Sequence, residues 1–377
     1  MKGDGMIEER LAPVLEVARE HAPQVDADGT FPKATMDALR ASGLLGLTLP
    51  SEIGGLGAGP VEFVETLSAL ASACGSSSLV YLMHISAATV VAAAPPPGLR
   101  EAPSKLASGD WLGTLAFSER GSRSHFWAPV SRAVLKNGGV HIAADKSWVT
   151  SAGQADLYVV STRAVAPADA VSLYAVPGRH DGLTVAGPWL GMGMRGNASS
   201  PVAVDAVIDE DQRLGAADDG FRLMMEVVLP WFNLGSAAVS VGLAEAAVRA
   251  SVEHSSAARF EHLGTALADL PTIRAALARM RIALETQRAY LRTSAESVAT
   301  PDEETLLHVL AVKAAANDAA LAITDDAMRV CGGAAYSKHL AVDRFFRDAR
   351  AGSVMAPTAD ALYDFYGKAI TGRDLFS

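Results

Sequence analysis

The sequence predicts an α+β fold, mostly α, laid out as a helical block, a small β block and a second helical block. Three observations predict it. Apolar residues recur at helical spacing up to about residue 105. Short runs rich in β-branched and aromatic residues, punctuated by Gly, Pro, Asn and Asp, follow from near Trp111 to about Glu210. Helical spacing then returns after the turn at 216–220 and lasts to the end. The corresponding domains are residues 1–108, 109–216 and 217–377.

The elements follow in order. Over 6–21, Leu11, Val14, Leu15 and Ala18 share one face, and around 32–42, Met36, Leu39 and Leu44 do the same, so both read as amphipathic helices. The loop 49–60, L-P-S-E-I-G-G-L-G-A-G-P, is broken up by glycine and proline. A helix at 61–74 leads into the apolar stretch 79–94, which is short for a bilayer span, carries His84, Ser86 and Thr89, and reads as a buried helix. In the β block the runs 134–135, 140–143, 157–162, 172–176 and 202–208 suit a sandwich or barrel. The second helical block offers 221–228, 234–255, 270–297, 303–330 and 358–370, with Asp302, Glu303 and Glu304 forming a helix N-terminus. Four of these can make an antiparallel bundle.

Composition excludes several classes. With 377 residues the chain can bury a large core without staples, and half its residues are hydrophobic against one fifth charged, as in a soluble globular protein. A net charge of −10 with no basic stripe argues against nucleic acid, and no segment reads as a membrane span. Two cysteines, Cys74 and Cys331, are too few for a disulfide framework and suit a reducing cytoplasm. The polar start, 1–10, has no apolar stretch behind it and predicts no secretory signal.

Familiar motifs are mostly missing. G-x-G-x-x-G occurs at Gly191–Gly196, but N-A-S-S-P-V-A-V follows it, which reads as a turn into a strand rather than the helix that a dinucleotide site needs. The nine histidines show no ligand spacing, so no metal is expected, and there is no G-x-S-x-G elbow. The stretch 326–360 stands out. Its Ala-rich helix breaks at Gly332-Gly333, where absent side chains let backbone amides approach a phosphate or a flavin edge, although a glycine cap between two helices has the same pattern. A charged helical piece, 343–350, then leads to a small-residue turn ending in Pro357-Thr358.

Five segments in order carry a family resemblance: L-P-S-E-I-G-G-L-G (49–57), L-A-F-S-E-R-G-S-R-S-H (115–125), D-K-S-W-V-T-S-A-G-Q-A-D (145–156), L-G-M-G-M-R-G (190–196) and C-G-G-A-A-Y followed by R-D-A-R within 326–360. Over essentially its whole length the chain resembles acyl-CoA dehydrogenases. That resemblance implies a helical domain, a β domain and a four-helix bundle, assembled as a homotetramer or homodimer with FAD at a subunit boundary. It implies that Phe117 and Ser118 run along the flavin ring, that Trp148 and Thr150 cover its face, and that Ser124 lies near the phosphate region. Arg259, in R-F-E-H-L-G, loosely matches an arginine by which the partner subunit reaches the FAD diphosphate. Arg329 replaces a glutamine before Gly332-Gly333 and can hold a diphosphate bidentately, and Thr358 closes the flavin-side turn.

The resemblance also exposes departures. The family turn after the arginine-aspartate pair ends Glu-Gly-Thr and supplies the base that removes the α-proton of an acyl thioester while hydride leaves the β-carbon; here it reads Met355-Ala356-Pro357-Thr358. The alternative base position, on the first bundle helix, is Phe232, with Asn233 beside it in place of the usual arginine. Asp360 and Glu226 are the candidate relocated carboxylates. The usual T-E-P-x-A-G-S-D loop is S-E-R-G-S-R-S-H, placing Arg123 and His125 at the thioester entrance. Arg123, His125, Phe232, Asn233 and Met355 are therefore the expected substrate contacts.

Three functions remain open at this point. One is dehydrogenation of an acyl thioester, on CoA or a carrier protein, with FAD and an electron-acceptor protein. Another is monooxygenation on the same fold with FAD, FMN or reduced flavin supplied by a partner flavin reductase. The last is a non-catalytic subunit of a hetero-oligomer.

Overall fold

The computed structural model describes residues 4–122, 125–167 and 169–376. The first block is helical: α1 (Asp4–Asp28), α2 (Lys33–Ser42), α3 (Pro60–Ala73), α4 (Gly75–Ala93) and α5 (Ala102–Ser108). Helix α4 is long and apolar enough to cross a membrane. Instead its side chains fill the interior: Leu79, Val80, Tyr81, Leu82 and Ile85 are all buried. His84 is satisfied there as a structural group, bonded to Leu45 O at 3.1 Å through Nε2 and accepting Gly113 N–H at 3.0 Å through Nδ1.

The β block is a sandwich of two four-stranded sheets. The strands are β1 (Gly113–Ala116), β2 (Ala133–Lys136), β3 (Gly139–Val149), β4 (Leu157–Arg163), β5 (Val171–Pro177), β6 (Leu183–Val185), β7 (Ser200–Ile208) and β8 (Arg213–Leu214). One sheet runs β1-β4-β5-β8 and the other β2-β3-β7-β6. Alternation gives β4 and β5 two buried faces: Tyr158, Val160, Tyr174 and Val176 meet the other sheet, while Leu157, Val159, Leu173 and Ala175 meet the helices.

In the last block, the short helix α6 (Gly220–Arg222) passes through a π-helical turn, Leu223–Val228, into α7 (Leu229–Ala257). The sequence pattern suggests two separate helices, 221–228 and 234–255. The structure joins them, because the wide turn already interrupts the i→i−4 ladder and the missing N–H of Pro230 falls next to that interruption. After a small hairpin, β9 (Arg259–Phe260) with β10 (Thr265–Ala266), come α8 (Pro271–Ala299), α9 (Thr305–Tyr336), α10 (Val342–Val354) and α11 (Ala359–Ile370). Helices α7, α8, α9 and α10 form the bundle, packed closely because facing positions are small, such as Ala237, Val241, Ala316 and Ala320.

One joint holds the three blocks together. Arg347 on α10 grips Asp26 on α1 through both terminal nitrogens, at 2.8 and 2.6 Å, and also reaches Asp343 at 3.0 Å. Its neighbour Asp348 accepts the Met194 N–H at 2.6 Å. Gly193 lies so close to the backbone of Arg347 and Asp348 that a Cβ would stand 2.4 Å from the Arg347 carbonyl. Gly196 is pressed equally hard against Val25 and Thr30. Gly193 and Gly196 therefore serve close domain packing, in keeping with a turn rather than a dinucleotide cradle.

Burial pushes the Asp348 carboxyl up to about 6, against the pull of the Met194 hydrogen bond. A carboxyl raised above its unfolded value favours the folded state in its protonated form, so its contribution is present below about pH 4 and is lost as pH rises through 6. The slope is up to about 1.4 kcal/mol per pH unit. Asp348→Asn should remove this segment from the pH dependence of unfolding free energy, read by urea titration between pH 4 and 7.

Candidate functional site

A cavity of about 620 Å³ opens where the three blocks meet. The end of β1 brings Phe117 and Ser118, the end of β3 brings Trp148 and Thr150, α7 brings Leu229 and Phe232, and the turn after α10 brings Met355, Ala356 and Thr358. Met83 on α4 and Val228 on the π turn complete its apolar side. Its volume lies within the range of small-molecule sites, roughly 300–1,000 Å³.

The backbone explains how the lining is aimed. Between Lys146 and Val149 the pairing of β3 with β7 slips, and Trp148 takes a left-handed φ of 56°. This bulge sends Lys146 into the core and turns the Trp148 indole outward, where it is 68 % exposed at the cavity rim. The edge of Trp189, 5.9 Å away at 77°, supports it. Thr150 is fixed from both ends, its hydroxyl 2.9 Å from Ser199 Oγ and its carbonyl accepting from Thr114 at 2.6 Å. Ser147 N–H donates to Ser118 O at 2.9 Å, joining the two lining segments.

Beneath them lies a buried ion pair that sequence reasoning did not single out. Lys146 Nζ meets Glu119 Oε1 at 2.6 Å and donates to Ser161 O. The other Glu119 oxygen accepts the N–H groups of Val130 and Ser131, both at 2.8 Å. Burial pushes the Glu119 carboxyl up, but the Lys146 charge and these hydrogen bonds overcome it and hold it below the usual carboxylate range. Glu119 lines the cavity, yet its oxygens are committed to the scaffold. Arg120 beside it lines the cavity with no ion pair among the described residues.

The lining fits a flavin ring. It is apolar over most of its area, with hydroxyls at Ser118, Thr150 and Thr358 for a polar edge and an exposed tryptophan to cover a flat face. Among the described residues no group of three or more His, Cys, Asp or Glu could hold a metal.

Three family models cover the chain in succession: the acyl-CoA dehydrogenase N-terminal domain over residues 7–102, the middle domain over 114–207 and the C-terminal domain over 218–370. The chain belongs to the acyl-CoA dehydrogenase family. Short-chain specific acyl-CoA dehydrogenase of Bos taurus mitochondria is 28% identical over 347 residues, covering 90% of this chain and 82% of the relative. Cyclohex-1-ene-1-carbonyl-CoA dehydrogenase of Geobacter metallireducens is 28% identical over 374 residues, 97% and 96% of the two chains. The solved butyryl-CoA dehydrogenase of Megasphaera elsdenii superposes with a TM-score of 0.88 at 22% identity, covering 96% of this chain and 98% of that one, a likeness of fold. Family membership makes the chain an FAD-dependent oxidoreductase.

Within this acyl-CoA dehydrogenase fold, the flavin-facing residues expected from the sequence come together: Phe117, Ser118, Trp148, Thr150 and Thr358 share one cavity, and Met355 and Phe232, expected as substrate contacts, line it too. Ala356 and Phe232, the two positions at which the resemblance leads one to expect the base, both line it, and neither side chain can accept a proton. The two relocated carboxylates are not brought to it. Asp360 is exposed on the first turn of α11, because Ala359, Leu362 and Phe365 form the face that packs inward. Glu226 is exposed and 3.6 Å from Arg222.

Other expected contacts also lie elsewhere. Asn233 is wholly buried and donates to Val309 O at 2.8 Å, so it ties α7 to α9 and does not line the cavity. His125 is exposed outside the lining and stacks on Trp127 at 4.9 Å. Arg123 and Ser124 lie outside the described residues. Arg259 is exposed on the hairpin, and Arg329 is exposed and paired with Asp325 at 3.1 Å. The helix does break at Gly332, where φ is 52° and ψ −131°, and Gly332 and Gly333 face open space. Along α9 the glycine pair stands about 28 Å from Lys313, beside the cavity turn. A flavin ring seated in the cavity does not reach this chain's own glycine pair.

Proposed function

We propose that the protein oxidises an acyl thioester, on CoA or a carrier protein, across its α,β bond in this cavity. The observation that carries the reading is the convergence of Phe117, Ser118, Trp148, Thr150, Met355 and Thr358 on one cavity. Bound FAD would supply the hydride acceptor. Trp148 covers one face of the ring and excludes water there, while Phe232 and Met355 make an apolar wall against the acyl chain. Ser118 and Thr150 offer hydroxyls to the polar edge. The family resemblance supports a homodimer or homotetramer in which Arg259, Arg329, Gly332 and Gly333 of one copy serve the diphosphate of another copy's FAD. The 28 Å offset along α9 fits that arrangement. Electrons would leave to an acceptor protein.

One observation favours a second reading. Among the described lining residues the only carboxylate is Glu119, which is held by Lys146 and Ser131. With Asp360 and Glu226 both outside the cavity, the α-proton would therefore leave to solvent. A flavin monooxygenase working with a partner reductase needs no such base.

Anaerobic titration of the FAD-loaded protein with acyl-CoAs of graded chain length tests both. Bleaching of the oxidised flavin band is the expected result, and its absence at every chain length would remove the dehydrogenase reading. Oxygenated product appearing only with reductase, NADH and oxygen would establish the second. Failure to bind flavin under either condition would leave a non-catalytic subunit.

A further inference from the structure

Lys313, in the first half of α9, is fully buried, and among the described residues its ammonium meets no carboxylate. Its three donors go to three carbonyls: Gly352 O at 3.1 Å, Met355 O at 3.1 Å and Pro357 O at 2.7 Å. One turn along the helix, Asn317 donates to the same Gly352 carbonyl at 2.7 Å and is itself fixed by Ser240 at 2.8 Å. A buried cation without a counter-ion is costly, and burial alone depresses this amine to about 7. An apolar residue of similar length would fill the space at less cost.

The carbonyls bracket Ala356. In a trans peptide the N–H points opposite to the C=O, and the peptides 355–356 and 357–358 are both trans. Their carbonyls are turned toward Lys313, so the N–H groups of Ala356 and Thr358 are turned away from it. Both residues line the cavity, and neither N–H has a partner among the described residues. A cation on the carbonyl side also polarises each peptide unit and strengthens its N–H as a donor.

We propose that Lys313 is a positioning residue, holding the turn 355–358 so that two peptide N–H groups face the cavity and receive the carbonyl oxygen of the bound thioester. The identity of that ligand rests on the function proposed above. The hold on the turn does not.

The test uses the FAD-loaded full chain and Lys313→Met. Without substrate, amide exchange in the segment 351–360 should quicken about tenfold, the loss expected for hydrogen bonds worth about 1.4 kcal/mol, while α8 stays protected. Unchanged protection overturns the proposal. With ligand, an acyl-CoA thioester is compared with an alkyl-CoA thioether of equal length, which lacks the carbonyl. The variant should lose about tenfold in affinity for the thioester and little for the thioether. Equal loss of both would mean that Lys313 only fills space. If the wild-type protein binds neither, the thioester reading fails and the exchange result alone decides the role of Lys313. Should Lys313→Met not fold, Lys313→Arg serves both comparisons, since a planar guanidinium keeps the charge but cannot reproduce three converging donors.

Discussion

Lys146→Met should lower the unfolding free energy by roughly 3–5 kcal/mol, a large share of the 5–15 kcal/mol that a folded domain typically has. The Lys146 side chain is completely buried and that of Glu119 nearly so, so deleting the cation leaves a carboxylate in the core with no counter-charge. The loss is not confined to the pair. Lys146 also donates to Ser161 O on β4, and Glu119 holds Val130 and Ser131 at the far end of the loop that follows β1. Phe117 and Ser118 are therefore positioned on the cavity wall by the same pair. Flavin content after purification should fall along with stability. Guanidinium unfolding followed by tryptophan fluorescence measures the first effect and the flavin-to-protein absorbance ratio the second. If the penalty comes from the stranded carboxylate, the double variant Lys146→Met with Glu119→Gln should recover much of it. A single variant within 1 kcal/mol of wild type would show that the pair is not what holds the wall.

The sequence makes the outline legible and the charged interior illegible, for physical reasons. Strand runs such as 157–162 and 172–176 are recognisable because both faces are buried, which demands uninterrupted apolar and β-branched residues. The break at Gly332 is recognisable because few residues other than glycine accept a φ of 52° followed by that ψ. Glu119 and Lys146 lie 27 positions apart, and each by itself looks like a solvated charge next to a strand. Lys313 sits in A-V-K-A-A-A, and nothing local states that its partners are the carbonyls of Gly352, Met355 and Pro357. The relocated bases went astray for a similar reason. Position along the chain puts Asp360 two residues past Thr358, but which way it faces depends on the side of α11 that Leu362 and Phe365 bury. Asn233 shows the converse, a polar residue expected at the ligand and found tying two helices together.

Ala356→Glu should raise the rate of α,β-dehydrogenation by roughly 10²–10⁴-fold, the usual worth of a well-placed general base. The turn is already in place: Met355, Ala356 and Thr358 line the cavity, and Lys313 fixes the carbonyls on either side of position 356. Extra atoms at 356 would extend into a cavity of about 620 Å³ rather than into packed core, so no overpacking penalty is expected. An apolar wall of Phe232, Leu229 and Met83 would raise the new carboxyl's pKa and bring its basicity closer to what α-proton removal needs. The readout is the anaerobic rate of flavin bleaching by acyl-CoA in stopped flow, with Ala356→Gln as the control of equal shape that accepts no proton. The glutamate variant alone should gain, and its rate should fall as pH drops below the new carboxyl's pKa, because only the ionised form is a base. Equal rates in the glutamate, glutamine and wild-type proteins, with flavin retained, would mean that no substrate α-carbon reaches position 356. The cavity would then serve a reaction that does not begin with proton removal, and the monooxygenase reading would take precedence.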